Sequence, residues 1–187
     1  MSDSSETPLN YFTGNQPTTS LWPTIKALLG SPGDFFANMP RAIYHRDAMF
    51  FVSIVIFVFS FLSIPFFSMA LLFLLPVTWG VTLISLFLWS KYLSWAVRTF
   101  TDSKISAANA FQMSGYAALP MAVAAIPYLG ALSGLANLYL MWVGLVAYCK
   151  LSGGTAAVII LLPVVLLGGT LAVLGALLIQ ALPQLAA

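Results

Sequence analysis

The chain has 187 residues, 60% of them apolar and only 6% charged, with a formal net charge of +2. A typical soluble domain carries roughly 25% charged residues, so this composition argues against a soluble enzyme, an exported domain or a disordered protein, and for an integral membrane protein. The small net charge gives no sign of nucleic-acid binding, and the single cysteine, Cys149, allows neither an intrachain disulfide nor a Cys-based metal cluster.

Residues 1–18 are polar and rich in Ser, Thr, Pro, Gly and Asn. They lack the basic start and apolar stretch of a secretory signal, so the first hydrophobic segments are expected to stay as membrane spans. By composition these residues read as a disordered cytoplasmic tail. Residues 19–47 follow as amphipathic cytoplasmic entry helices. In the first helix Leu21, Ile25, Leu28 and Leu29 share one face, with Ser20 as cap and Gly30 as terminator. A second start follows: Ser31 is the candidate N-cap, Pro32 suits the first helical position, and Asp34 is the capping acid. Phe35, Phe36 and Met39 come next, before Pro40. Trp22, Lys26, Pro32, Phe35, Phe36 and Arg41 form the candidate interface or partner segment. Aromatic side chains beside basic ones suit a membrane surface; packing on the bundle end and a dedicated partner motif are the alternatives. His45, Arg46 and Asp47 read as a solvated ion cluster at the headgroups, and with no second histidine His45 is not expected to be a ligand or base.

Residues 48–187 form the membrane domain. Three stretches carry no charged residue and no histidine: Ala48–Ser90, Ile105–Cys149 and Leu151–Ala187. A spanning helix needs about 20 apolar residues, so the first two stretches each hold a helical hairpin and the third a single span. Turns are expected at Ser63–Ser68, where Pro65 disfavours a continuing helix, and at Pro127–Gly130. The five spans are placed at about 49–66, 69–94, 108–126, 132–149 and 155–180, with Lys91 reaching the interface near the end of the second. All seven basic residues fall before span 1 (Lys26, Arg41, Arg46), between spans 2 and 3 (Lys91, Arg98, Lys104) or between spans 4 and 5 (Lys150). They therefore share one side, which the positive-inside rule makes cytoplasmic, with the N-terminus inside and the C-terminus outside.

No ionisable residue lies within the core of any span, which argues against a proton-coupled pump and against acid–base catalysis in the bilayer. No intramembrane-protease constellation or phosphate-cradling glycine loop is present, so no enzyme activity, metal or cofactor is expected. Helix-packing candidates are Gly130 and Gly134 in span 4 and Gly168, Ala172 and Ala176 in span 5. Small residues at this spacing let helices approach closely, within one bundle or between copies. Span 3 is the most polar. Asn109, Gln112 and Tyr116, with Asn137 of span 4, form the candidate polar interior, and Pro120 interrupts the helix. Such a span is a buried structural helix or the lining of a small-molecule path.

Three runs resemble the prokaryotic Yip1-domain proteins. Trp22-Pro-Thr-Ile-Lys-Ala-Leu-Leu-Gly-Ser-Pro-Gly-Asp-Phe-Phe is similar to that family's N-terminal entry. Ser114-Gly115-Tyr116-Ala117-Ala118-Leu119-Pro120 resembles its third span. Tyr148-Cys149-Lys150-Leu151-Ser152-Gly153-Gly154-Thr155-Ala156-Ala157, followed by Leu162-Pro163, resembles its boundary between the fourth and fifth spans. The resemblance implies an all-α, polytopic membrane bundle of five transmembrane helices with a cytoplasmic N-terminus, here in a bacterial cytoplasmic membrane. Eukaryotic members act in vesicle trafficking, bind Rab GTPases and associate with relatives. This chain lacks their Asp-Leu-Tyr-Gly-Pro motif, which argues against GTPase binding. The expected function is a non-enzymatic membrane organiser, scaffold or trafficking-like factor. Its expected partners are the lipid bilayer, further copies of itself or other membrane proteins, and not nucleic acid. A transporter, channel or lipid scramblase for uncharged or amphipathic substrates is one alternative. An accessory subunit of a larger membrane complex is the other.

Overall fold

The computed structural model describes residues 11–42, 44–66, 73–166 and 170, and these form helices and turns with no strand among them. In chain order they are α1 (Pro17–Gly30), α2 (Pro32–Ala37), α3 (Arg46–Ser63), α4 (Leu75–Phe100), α5 (Ala107–Ala117), a 3₁₀ turn (Leu119–Val123), α6 (Leu129–Cys149) and α7 (Gly153–Leu166). By length and apolar character α3, α4 and α6 can each cross a membrane, and α7 is a shorter apolar helix. The protein is thus an all-helical membrane protein. The remainder of the predicted fifth span, with Gly168, Ala172 and Ala176, lies outside the described residues.

Proline sets several helix starts. Pro17 opens α1, Pro32 opens α2 and Pro76 sits in the first turn of α4, positions where its missing N–H costs nothing. Ser20 is therefore not the cap of α1. It lies inside the first turn, where its hydroxyl donates to the Gln16 carbonyl at 2.6 Å and accepts from the Thr13 N–H at 3.1 Å. The predicted apolar face of α1 also needs correction. The helix buries Ser20, Thr24 and Leu28 against the bundle and turns Trp22 (70% exposed) and Leu29 (62%) outward. Two hydroxyls can face inward because each is satisfied locally: Thr24 donates to the Ser20 carbonyl one turn back, at 2.7 Å.

Residues 11–16 likewise depart from the disordered-tail reading of 1–18. Phe12 is buried in the main core, and the Tyr11 hydroxyl donates to the Phe35 carbonyl at 2.8 Å. Composition failed here because two adjacent aromatic residues outweigh a polar surround.

α4 runs well past Lys91, which the sequence reading put near the end of span 2, and closes with Arg98 in its last turn, where a cation complements the helix dipole. A ladder of rings, Trp89, Tyr92, Trp95 and Phe100, lines its C-terminal part at centroid spacings of 5.3, 6.1 and 6.1 Å. Trp79 near the other end donates its indole N–H to Ser53 of α3 at 2.8 Å. Aromatic groups at both ends of a span are typical of the two membrane interfaces.

α5 differs from a continuous span over 108–126. It has 11 residues, about 16 Å of helix against a hydrocarbon core of about 30 Å. Pro120 has no N–H to return to the Tyr116 carbonyl, so the α-helix stops and the chain tightens into the 3₁₀ turn. Every residue from Asn109 to Ala117 is buried. α5 is the central post of the bundle: it packs on α3, α4 and α6, while α2 lies on α6.

Two glycines make these approaches possible. A Cβ at Gly115 would stand 3.1 Å from Val52 Cγ2 of α3, and one at Gly144 would stand 2.7 Å from the Met113 sulfur. Neither was among the packing positions expected from spacing. Of those that were, a Cβ at Gly130 would stand 2.8 Å from the Ala124 carbonyl oxygen, and a Cβ at Gly134 would meet nothing within 4 Å. Gly134 therefore makes no close helix contact among the described residues.

Candidate functional site

The entry segment and the polar face of α5 converge on one end of the bundle. Asn109, Gln112 and Tyr116 are spaced i, i+3, i+7, one stripe of a helix. Ser106 caps α5, its hydroxyl accepting from the Asn109 N–H at 3.1 Å and donating to the Asn109 side-chain oxygen at 2.6 Å. The Asn109 amide in turn donates to the Pro40 carbonyl at 3.4 Å, fastening the loop after α2 to the post.

One turn on, Gln112 is only 8% exposed and its Oε1 has no hydrogen-bond partner. Tyr116, at 1% exposure, is the aromatic hub. Its ring meets Phe35 of α2 and Phe51 of α3, both at 5.1 Å and nearly edge-on, the favoured geometry for aromatic pairs. Its hydroxyl is also buried without a partner. An unpaired buried polar group costs about 1–3 kcal/mol. Asn109, Gln112 and Tyr116 are thus all buried along α5. Asn137, the fourth polar residue expected there, is half-buried on α6.

A cavity of about 370 Å³ lies between the 11–15 segment, residues 40–42 with Tyr44, the start of α3 and Gln112. Its walls are tied together by two contacts: the Gly14 N–H donates to Asp47 Oδ1 at 3.0 Å, and the Arg46 guanidinium donates to the Asn15 side chain. Arg41, Arg46 and Asp47 line it with Tyr11, Phe12 and Tyr44. Arg46 and Asp47 thus wall a cavity, where the sequence suggested only a solvated cluster. His45 turns aside, its ring against Phe111 at 5.1 Å.

The expected interface segment divides. Phe35 and Phe36 are core residues, so they hold the entry segment down and are not free for a partner. Trp22, Lys26 and Arg41 are exposed, and Pro32 is half-exposed. Sequence reasoning missed Tyr11 and Phe12. The only signal available was an aromatic pair within a polar run. Among the described residues no group of three His, Cys, Asp or Glu side chains could hold a metal ion.

The fold and this site define a helical membrane protein with an N-terminal entry segment docked on its polar central helix. The Yip1 domain family model matches residues 26–175, most of the chain, and the protein belongs to that family. The matched region takes in only the last turn of α1, from Lys26, and runs beyond the end of α7. Comparison with curated proteins and with solved structures found no match.

Proposed function

We propose that this Yip1-type membrane protein is a non-enzymatic organiser of the bilayer, with five spans, a cytoplasmic N-terminus and an outside C-terminus in a bacterial cytoplasmic membrane. It acts through self-association and through contacts of its entry segment. One observation carries this reading: the entry segment is anchored in the core by Phe12, Phe35 and Phe36 while α1 turns Trp22 and Leu29 outward. An outward Trp and Leu beside exposed Lys26 suit a helix resting on a headgroup layer. The packing of α5 favours this over a conduit, because Tyr116 is closed in by Phe35 and Phe51 where a path would have to pass.

Reconstitution in liposomes tests the reading. The organiser reading expects vesicle remodelling that weakens when Trp22 and Leu29 are replaced by Ser, without solute or lipid flux. Flux that is lost on Tyr116→Phe or Gln112→Ala overturns it in favour of transport. A cytoplasmic-only fluorescent reporter fused at Ala187 must stay dark; fluorescence there overturns the five-span topology. Gly168→Leu with Ala172→Leu is expected to lower the oligomeric mass in detergent, and an unchanged mass removes self-association through that face.

A further inference from the structure

We infer that the cavity at the entry end is a binding site for the headgroup of an acidic glycerophospholipid: a phosphate held by Arg41 and Arg46, and a hydrogen-bond donor of the same headgroup received by Gln112. Four observations converge. The cavity, at about 370 Å³, falls in the usual range for small-molecule sites, roughly 300–1,000 Å³. Two guanidiniums line it, the group best matched to phosphate oxygens, against a single carboxylate, Asp47, whose Oδ1 is taken up by the Gly14 N–H. It borders the N-terminal end of α3, an 18-residue helix whose dipole adds positive potential there.

The fourth observation is Gln112, which lies at the cavity wall more than nine-tenths buried, with Oε1 unpartnered. A carbonyl oxygen left so can only be satisfied by a donor, and the phosphodiester of a lipid, ionised and without an O–H, offers none. A glycerol hydroxyl attached to a phosphate offers both. A choline headgroup does not, because its quaternary nitrogen has no N–H and its charge opposes the arginines.

The membrane is the natural source. α3 starts at Arg46 and is apolar enough to span, so the cavity sits at headgroup level. Along α3, whose first residues wall the cavity, Phe50, Phe57 and Phe61 are exposed, a track on which acyl chains can lie. A soluble glycerophosphate shares the headgroup chemistry but would leave that track unused.

The test uses the full chain, purified in a mild non-ionic detergent and stripped of lipid. Short-chain phosphatidylglycerol, phosphatidylcholine of the same chains and sn-glycerol 3-phosphate are titrated separately, and bound mass is read by native mass spectrometry. The expected result is one saturable phosphatidylglycerol with a clear preference over phosphatidylcholine. Arg41→Gln and Arg46→Gln should each weaken it by about tenfold or more, the loss expected for one charge-assisted hydrogen bond. Gln112→Leu should erase the preference between the two lipids. Because Gln112 is buried, the exposed Arg41→Gln variant, with an unchanged melting curve, keeps the test independent of folding. Binding of sn-glycerol 3-phosphate as tight as that of the lipid would assign the same site to a soluble ester. Equal retention of both lipids, or equal phosphatidylglycerol binding by wild type and both arginine variants, overturns the inference.

Discussion

Gly115 and Gly134 are both helical glycines beside apolar neighbours, yet they answer to different surroundings. Gly115 marks the crossing of α5 and α3, where Val52 leaves no room for a larger side chain. Gly115→Leu should cost about 1–3 kcal/mol of overpacking. Gly134→Ala, which meets open space, should instead stabilise by about 0.5–1 kcal/mol through backbone entropy. Thermal unfolding of both variants in one detergent checks the pair, and equal shifts would contradict this packing. Tyr11 shows a pH effect at the same scale. Burial raises its phenol above the ordinary 10.0, so the detached segment loses its proton before the docked one does. Docking is therefore full below that value and weakens as pH rises through it. A spin label on Lys26→Cys should gain mobility in that alkaline range, and Tyr11→Phe should remove the pH dependence of the gain.

At the scale of elements, α7 shows how one helix repairs another. Pro163 cannot donate to the Ile159 carbonyl, and the hydroxyl of Tyr92 on α4 donates to that same oxygen at 2.7 Å. Tyr92→Phe should cost about 1–3 kcal/mol, the penalty for a buried acceptor left bare. In a Pro163→Ala background, where the helix supplies its own N–H, most of that cost should vanish; a double-mutant cycle on unfolding reads the coupling. A proline inside a membrane helix needs such a partner, but nothing local to Pro163 says which residue serves. Long apolar runs made α3, α4 and α6 legible, and the starts at Pro32 and Ser106 obey local rules that any reader can apply. α5 was only half legible. Its polar stripe was visible at Asn109, Gln112 and Tyr116, but its brevity follows from Pro120 acting together with burial on all sides, which is a tertiary effect. The inward face of α1 was misread because Ser20 and Thr24 satisfy their hydroxyls within the chain and so pass as apolar.

For the whole molecule, the entry segment and the post form one unit. Each buried phenylalanine contributes roughly 1.5–3 kcal/mol, and Phe12, Phe35 and Phe36 all come from the N-terminal side of α3. Phe36→Ala should therefore loosen the segment as a body while the spans stay helical. Limited trypsin digestion should then cut faster at Lys26 and Arg41 than in wild type, with little change in circular dichroism. Cleavage at an unchanged rate would mean that the segment is held by something other than these rings. The cavity belongs to this scale as well, since its walls come from four separate parts of the chain and no local motif encodes it.

The docking of the entry segment also dictates an order of assembly at the ribosome. Phe35 and Phe36 are synthesised first, but the surfaces that receive them, at Tyr116 and Gly144, emerge only after α3 and α4 have been made. At about 5–20 residues per second, the nascent segment waits several seconds with its rings uncovered. A chain stalled after Phe100 should present that waiting state, open to protease at Lys26 and available to chaperones. Completion of α6 should close it.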